Sequence, residues 1–190
     1  MILSGSDIRK VLRDGLLIID PLPEEDQIDT TSVDLRMGEP LWMWSPELIR
    51  RNGPGLRVDV DRFNFKELSE RYMVETPKEE SGKYLIKPQT VYLASTFEKV
   101  ELPTGSRLAA RIEGKSSLAR LGLAVHITAP TIHCGSGPGT ITLEIFNHGP
   151  FAIDVTPGVS RLCQLILEEV SSEPQQRTGR IFMEQKTPKG

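Results

Sequence analysis

Cysteine is scarce in this 190-residue chain, with Cys134 and Cys163 the only two. Two thiols are too few for a disulfide framework or a four-ligand zinc site, and a reducing cytoplasm is the economical expectation. Long apolar runs are missing as well. No stretch approaches the roughly 20 apolar residues of a membrane span, so no membrane partner is expected. The opening MILSGSDIRKVL mixes polar and apolar residues and has no signal-peptide layout. There is no basic excess either. A net charge of −3 and a pI near 5.7 argue against binding a nucleic-acid polymer by bulk electrostatics, but not against binding one nucleotide. Missing motifs remove further chemistry. The spacing of a Walker A loop is absent, as is the G-x-S-x-G elbow of a Ser-His-Asp hydrolase. His133-Cys134 invites a metal reading, yet no second Cys/His cluster has ligand spacing, and the zinc-deaminase pattern is absent, so no zinc is expected.

What remains is an ordinary globular composition, 38% hydrophobic and 26% charged. A chain of this length buries one good core, and we expect a single domain over residues 1–170 with a flexible tail over 171–190. Ser4 or Ser6 can cap a short helix with Ile8, Val11 and Leu12 on one face and Gly15 as its stop. Leu16 to Ile19 read as a brief strand, broken by Pro21 and Pro23. Ser32 to Arg36 alternate, setting Val33 and Leu35 against Asp34 and Arg36, and Trp42 and Trp44 share a face. Residues 45–82 are the least legible. Pro46, Gly53, Pro54 and Gly55 mark a loop there, and Phe63 to Tyr72 can form a short helix. From Tyr84 onward short strands rich in Val, Ile, Leu and Thr recur at intervals near ten residues between Gly/Pro turns. That rhythm predicts a mainly β sandwich or jelly roll. After Val170 the composition turns polar, as in a segment ordered only against a ligand or another subunit.

Two stretches carry chemistry. Gly114-Lys115-Ser116-Ser117 follows a strand and leads into Leu118-Ala119-Arg120. A Gly-led turn into a helix start aims backbone N–H groups at an anion, and Lys115, the two hydroxyls and Arg120 add directed donors. A capping turn on a surface loop would read the same. In TITLEIFN, Ile141, Leu143 and Ile145 share one face, and Thr142, Glu144 and Phe146 the other. Neither is the polar face of a solvent-exposed strand. A carboxylate among such neighbours is desolvated, which pushes a carboxyl group toward the neutral range that general acid/base work requires. A Glu paired with an Arg at a subunit interface is the alternative.

GKSSLARLGLAVHITAPTI followed by ITLEIFNHGP closely resembles the dCTP deaminases, members of the trimeric dUTPase-like superfamily. ILSGSDIRKVLRDGLLIIDP, TSVDLRMG and TPGVSRLCQLILE resemble the family's N-terminal helix and strand, first motif and late strand. The resemblance implies a distorted jelly roll of the β-clip, dUTPase-like kind, assembled as a homotrimer with each site shared between neighbours. It implies that Glu144 activates water for attack on C4 of cytosine, while Ser116 and Arg120 hold that water and organise the carboxylate. Lys115, Ser117 and Arg120 match the triphosphate turn, where Arg is commoner than Lys115. Thr128 and Ala129 match contacts around the pyrimidine, Thr142 is a further expected substrate contact, and Gln164 matches a nucleotide contact on the late strand. Gln185 matches a C-terminal lid. Magnesium rides on the triphosphate, and dTTP is the implied feedback inhibitor.

The chain departs from the pattern in three places. His133 stands where the family's best-known members carry an Asp that contacts the deoxyribose 3′-hydroxyl. In dUTPases and bifunctional deaminase–dUTPases that Asp also activates the water attacking the α-phosphate. With His133 that carboxylate is missing, so the expected product is dUTP and ammonia rather than dUMP. Ser136 replaces a bulky aromatic, and IFMEQKTPKG is only loosely lid-like. The alternatives left open are dUTP pyrophosphatase activity, alone or added, and a non-catalytic nucleotide sensor.

Overall fold

A computed structural model describes residues 1–51, 56–174 and 188. Its order is α1 (Gly5–Arg13), β1 (Ile18–Asp20), β2 (Val33–Arg36), β3 (Trp42–Trp44), α2 (Pro46–Arg51), α3 (Phe65–Tyr72), β4 (Met73–Glu75), β5 (Tyr84–Ile86), β6 (Val91–Glu101), β7 (Leu108–Gly114), α4 (Ser116–Ala119), β8 (Leu123–Ala124), β9 (Thr131–Ile132), β10 (Gly139–Asn147), β11 (Ile153–Val155) and β12 (Arg161–Glu169). The chain is mainly β, as its rhythm predicts. One sheet runs β4-β3-β6-β10-β8 with β1 also on β6, a second runs β2-β12-β7-β9, and β11 pairs with β5. All of these pairings are antiparallel.

Ser4 caps α1 in a capping box: its hydroxyl accepts the Asp7 N–H at 3.3 Å, and the Asp7 carboxylate accepts the Ser4 N–H at 3.3 Å. Ile8 is fully buried, and Gly15, at φ 69°, takes the left-handed conformation past the helix end. The first strand starts later than the apolar run Leu16 to Ile19 suggests. The N–H groups of Leu16 and Leu17 both turn back to the Val11 carbonyl, at 2.9 and 3.2 Å, so these residues finish the helix before β1 begins. Ile2 bridges Glu168, and the Leu3 N–H donates to the Leu167 carbonyl at 3.0 Å, tying the chain's start to β12.

The inner faces of the sheets meet in a core that includes Val33, Leu35, Met37, Ala94, Leu143, Ile145, Leu165 and Leu167, all fully buried. Burial of a Leu or Ile side chain is worth about 1.5–3 kcal/mol, so these alternating strand positions fix register. The alternation at β2 has one surprise. Asp34 and Arg36 do not face solvent. Glu98, fully buried on β6, accepts the Arg36 backbone N–H at 2.9 Å and its Nε at 2.7 Å, and takes Gln27 Nε2 at 3.3 Å. Arg36 also stacks on the Phe97 ring, 4.7 Å from its centroid. A buried charge needs that degree of pairing.

Strand β10 shifts register against β6 between Thr140 and Thr142. At the irregularity the Ile141 N–H bonds the Thr96 hydroxyl at 2.9 Å, and that hydroxyl donates to the Glu98 carbonyl at 2.7 Å. A side chain thus satisfies the backbone group that the bulge removes from the ladder. No described helix is long and apolar enough to cross a membrane.

Candidate active site

Strand β10 delivers Glu144. Leu143 and Ile145 on its other face are fully buried and Ile141 packs beside them, which fixes the half-buried Thr142, Glu144 and Phe146 on the opposite side. Glu144 lies opposite Leu93 of β6. Its Oε2 accepts the Ile127 backbone N–H at 3.3 Å. That contact also explains why the segment LAVHI is a strand only over Leu123–Ala124: the backbone beyond it leaves the sheet and turns a donor toward the carboxylate. Among the described residues no Lys or Arg pairs with Glu144, so the ion-paired reading is not met within the protomer.

Thr128 and Ala129 follow Ile127 directly and are exposed. His133, also exposed, comes just after β9 and opens the corner that leads back into β10. The corner is pinned. The Leu102 N–H donates to the Ser136 carbonyl at 2.8 Å, the Gly135 N–H returns to the Leu102 carbonyl at 2.9 Å, and the Cys134 thiol reaches the Thr104 carbonyl at 3.6 Å.

A second cluster sits on the four-stranded sheet. Lys115 is the residue before α4, and its ammonium is ion-paired with Asp34 of β2. On the adjacent strand Gln164 of β12 donates through Nε2 to Asp34 Oδ1 and to the Ser32 hydroxyl, both at 3.3 Å. Two residues that are 49 positions apart, Lys115 and Gln164, therefore converge on one carboxylate. Ser116 and Ser117 open α4, whose single turn closes through Ala119 N to Lys115 O at 2.9 Å and Arg120 N to Ser116 O at 3.2 Å. Ser116, Ser117 and Arg120 are exposed. A cleft of about 420 Å³ adjoins the turn, with Gly114, Ala119, His126 and His148 on its wall. His126 Nδ1 is enclosed with no hydrogen-bond partner among the described residues, while Nε2 lies 3.7 Å from Glu113. Behind the cluster the sheet is dry: burial, then the Glu98 and Asp34 carboxylates, push the Cys163 thiol up.

Of the residues expected from sequence, the structure gathers Lys115 and Gln164, with Ser116, Ser117 and Arg120 on the same turn, and sets Glu144 against the Ile127 N–H, just before Thr128 and Ala129. No hydrogen bond or ion pair among the described residues joins the two clusters. Gln185 lies outside the described residues. Sequence reasoning missed Asp34 as the hub. The available signal was its place between the apolar Val33 and Leu35 in a strand paired to β12 along its length.

The chain is mainly β, with a lysine–serine turn beside one sheet and a half-buried carboxylate on the other. The sequence model described as dCTP deaminase-like matches residues 2–170, and the chain belongs to that family. It is 37% identical over 182 residues to a Methanosphaera stadtmanae protein named "dCTP deaminase, dUMP-forming", covering 94% of this chain and 84% of that one. It is also 37% identical over 175 residues to a Rhodospirillum rubrum "dCTP deaminase", covering 90% and 84%. The solved 2′-deoxycytidine 5′-triphosphate deaminase of Agrobacterium tumefaciens superposes with a TM-score of 0.59 at 26% identity, over 87% of this chain. This chain spans 47% of that structure's length.

Proposed function

We propose that this protein is a dCTP deaminase that converts dCTP and water to dUTP and ammonia. The observation that carries the reading is Glu144, a half-buried carboxylate whose hydrogen bond within the protomer comes from a backbone N–H, in a chain of this family. Such a group is free to take a proton. Glu144 accepts it from water as the oxygen attacks C4 of cytosine. It passes that proton to N3 of the ring and then carries the proton of the new C4 hydroxyl to the exocyclic nitrogen, which departs as ammonia and leaves a carbonyl at C4. The Ile127 N–H holds the carboxylate, and Thr128 and Ala129 line the base. Ser116 and Arg120 hold the water. Lys115, Ser117, Arg120 and Gln164 bind the nucleotide's anionic tail, whose remote binding energy orients the ring.

The two clusters lie on different sheets. Among the described residues no hydrogen bond or ion pair joins them, which supports a homotrimer in which Glu144 of one protomer meets the Lys115–Arg120 turn of the next. Among the described residues no group of three or more His, Cys, Asp or Glu side chains is arranged to hold a metal, and Asp34 is already engaged by Lys115 and Gln164. Magnesium would come in on the phosphates, where it would neutralise charge. dTTP, which shares the deoxyribose and triphosphate, fits the role of competing inhibitor.

His133 favours dUTP as the product, since an imidazole replaces the carboxylate base for pyrophosphate release. The name of the Methanosphaera stadtmanae relative favours dUMP instead. Incubation with dCTP and magnesium, followed by chromatography of the nucleotide products, separates the two: dUTP with no pyrophosphate is the expected result, and dUMP with pyrophosphate reverses it. Glu144→Gln is expected to lower ammonia release about 10²–10⁴-fold while dCTP still binds. Unchanged turnover would remove Glu144 from the mechanism.

A further inference from the structure

We propose that Asp34 is a positioning residue that aims the Lys115 ammonium at the anionic tail of the substrate. The inference rests on the reading of Lys115 as a phosphate ligand and names what sets its direction.

The Asp34 side chain is 12% exposed and the Lys115 side chain 26%. Three elements hold the carboxylate's residue in place. Lys115 donates to Oδ2, Gln164 Nε2 donates to Oδ1 at 3.3 Å, and Gln27 Nε2 donates to the Asp34 backbone carbonyl at 2.9 Å. Gln27 is itself only 1% exposed and also reaches Glu98, so the backbone at Asp34 is tied to the fully buried Glu98–Arg36 pair. Asp34 is therefore a fixed point and Lys115 the flexible partner. A lysine carries three N–H donors on a stem with four rotatable bonds, and ordering such a stem costs binding energy when a ligand must do it. One donor on Asp34 leaves two for phosphate oxygens and removes the ordering cost in advance. An arginine would present a rigid fork and need less guidance; a lysine at position 115 needs an anchor. Gln164 reads both groups: its amide grips Asp34 and Ser32, so β12 carries the anchor and a nucleotide contact on one side chain.

The test is steady-state kinetics with dCTP and magnesium on the full chain. Asp34→Asn keeps the shape and loses the charge. It is expected to raise KM about tenfold with kcat within twofold of the parent. Lys115→Gln is expected to raise KM at least as much, and Asp34→Asn in the Lys115→Gln background to add nothing further. Asp34→Glu is expected to recover most of the loss. An unchanged or lowered KM for Asp34→Asn, a fall in kcat instead, or independent effects in the double variant would overturn the proposal. Should Asp34→Asn not fold, Asp34→Ser takes its place: a severalfold rise in KM at constant kcat supports the proposal, and parental KM overturns it. If Lys115→Gln leaves KM unchanged, the phosphate role of Lys115 itself falls, and Asp34 with it. If Lys115→Gln raises KM while Asp34→Asn does not, only the positioning role is lost.

Discussion

Glu98 is a costly side chain to disturb. It is fully buried and holds Arg36 through two hydrogen bonds. Removing one member of a buried pair leaves the other charged and unsolvated, at a cost of about 3–5 kcal/mol. Arg36→Met is expected to destabilise the protein by that amount in urea unfolding, whereas the exposed pair Lys10–Asp14 is expected to contribute almost nothing. The two cysteines differ just as sharply. Cys163 is 0% exposed and its thiol is pushed up from the ordinary 9.0, while Cys134 is partly exposed. Maleimide labelling of the native protein is expected to modify Cys134 and spare Cys163 until the chain unfolds. The folded-state thiol ionises later than the unfolded one. Its contribution is therefore full below pH 9.0 and is lost as pH rises above it, so the midpoint of unfolding should fall on the alkaline side.

At the scale of elements, the α4–β8 turn is the tightest packing in the candidate site. A Cβ at Gly149 would fall on the Leu121 carbonyl, and one at Gly122, where φ is +90°, would meet the Gly149 backbone. The His148 N–H donates to the Gly122 carbonyl at 2.8 Å, locking the two segments together. Gly149→Ala is expected to lower the melting temperature and to raise KM, because α4 carries Lys115 through Arg120; circular dichroism and kinetics read the two effects. Much of this organisation was legible in the residues. Strands β6, β7, β10 and β12 follow from alternating Val, Ile and Leu between Gly/Pro turns, and the start of α1 follows from Ser4, one of the two serines that could cap it. Asp34 and Arg36 were not legible as buried groups. Alternation assigns them a face, but only tertiary pairing turns that face inward, Arg36 with Glu98, 62 residues away, and Asp34 with Lys115 and Gln164. The short β8 was equally hidden, since nothing local shows that the Ile127 N–H leaves the sheet for Glu144.

At the scale of the molecule, the division of the site between two sheets predicts complementation. Glu144→Gln and Lys115→Gln protomers are each expected to be weak alone. Unfolded together and refolded at equal amounts, they should regain about a quarter of parental activity if neighbouring subunits supply the two halves. Ammonia release from the mixed sample checks this, and activity no higher than the sum of the separate variants would place both halves in one protomer.

The four-stranded sheet has a further consequence. Its order, β2-β12-β7-β9, puts the last strand of the described fold in an interior position, zipped to β2 and β7 and also to Leu3. During synthesis, β2 and β7 each wait with an open edge until β12 emerges, and the contacts that close the layer span 49–61 residues to β7 and 125–132 residues to β2. Such non-local closure is slow, so folding is expected to finish after translation, and a chain cut within β12 loses its central seam rather than a trailing edge.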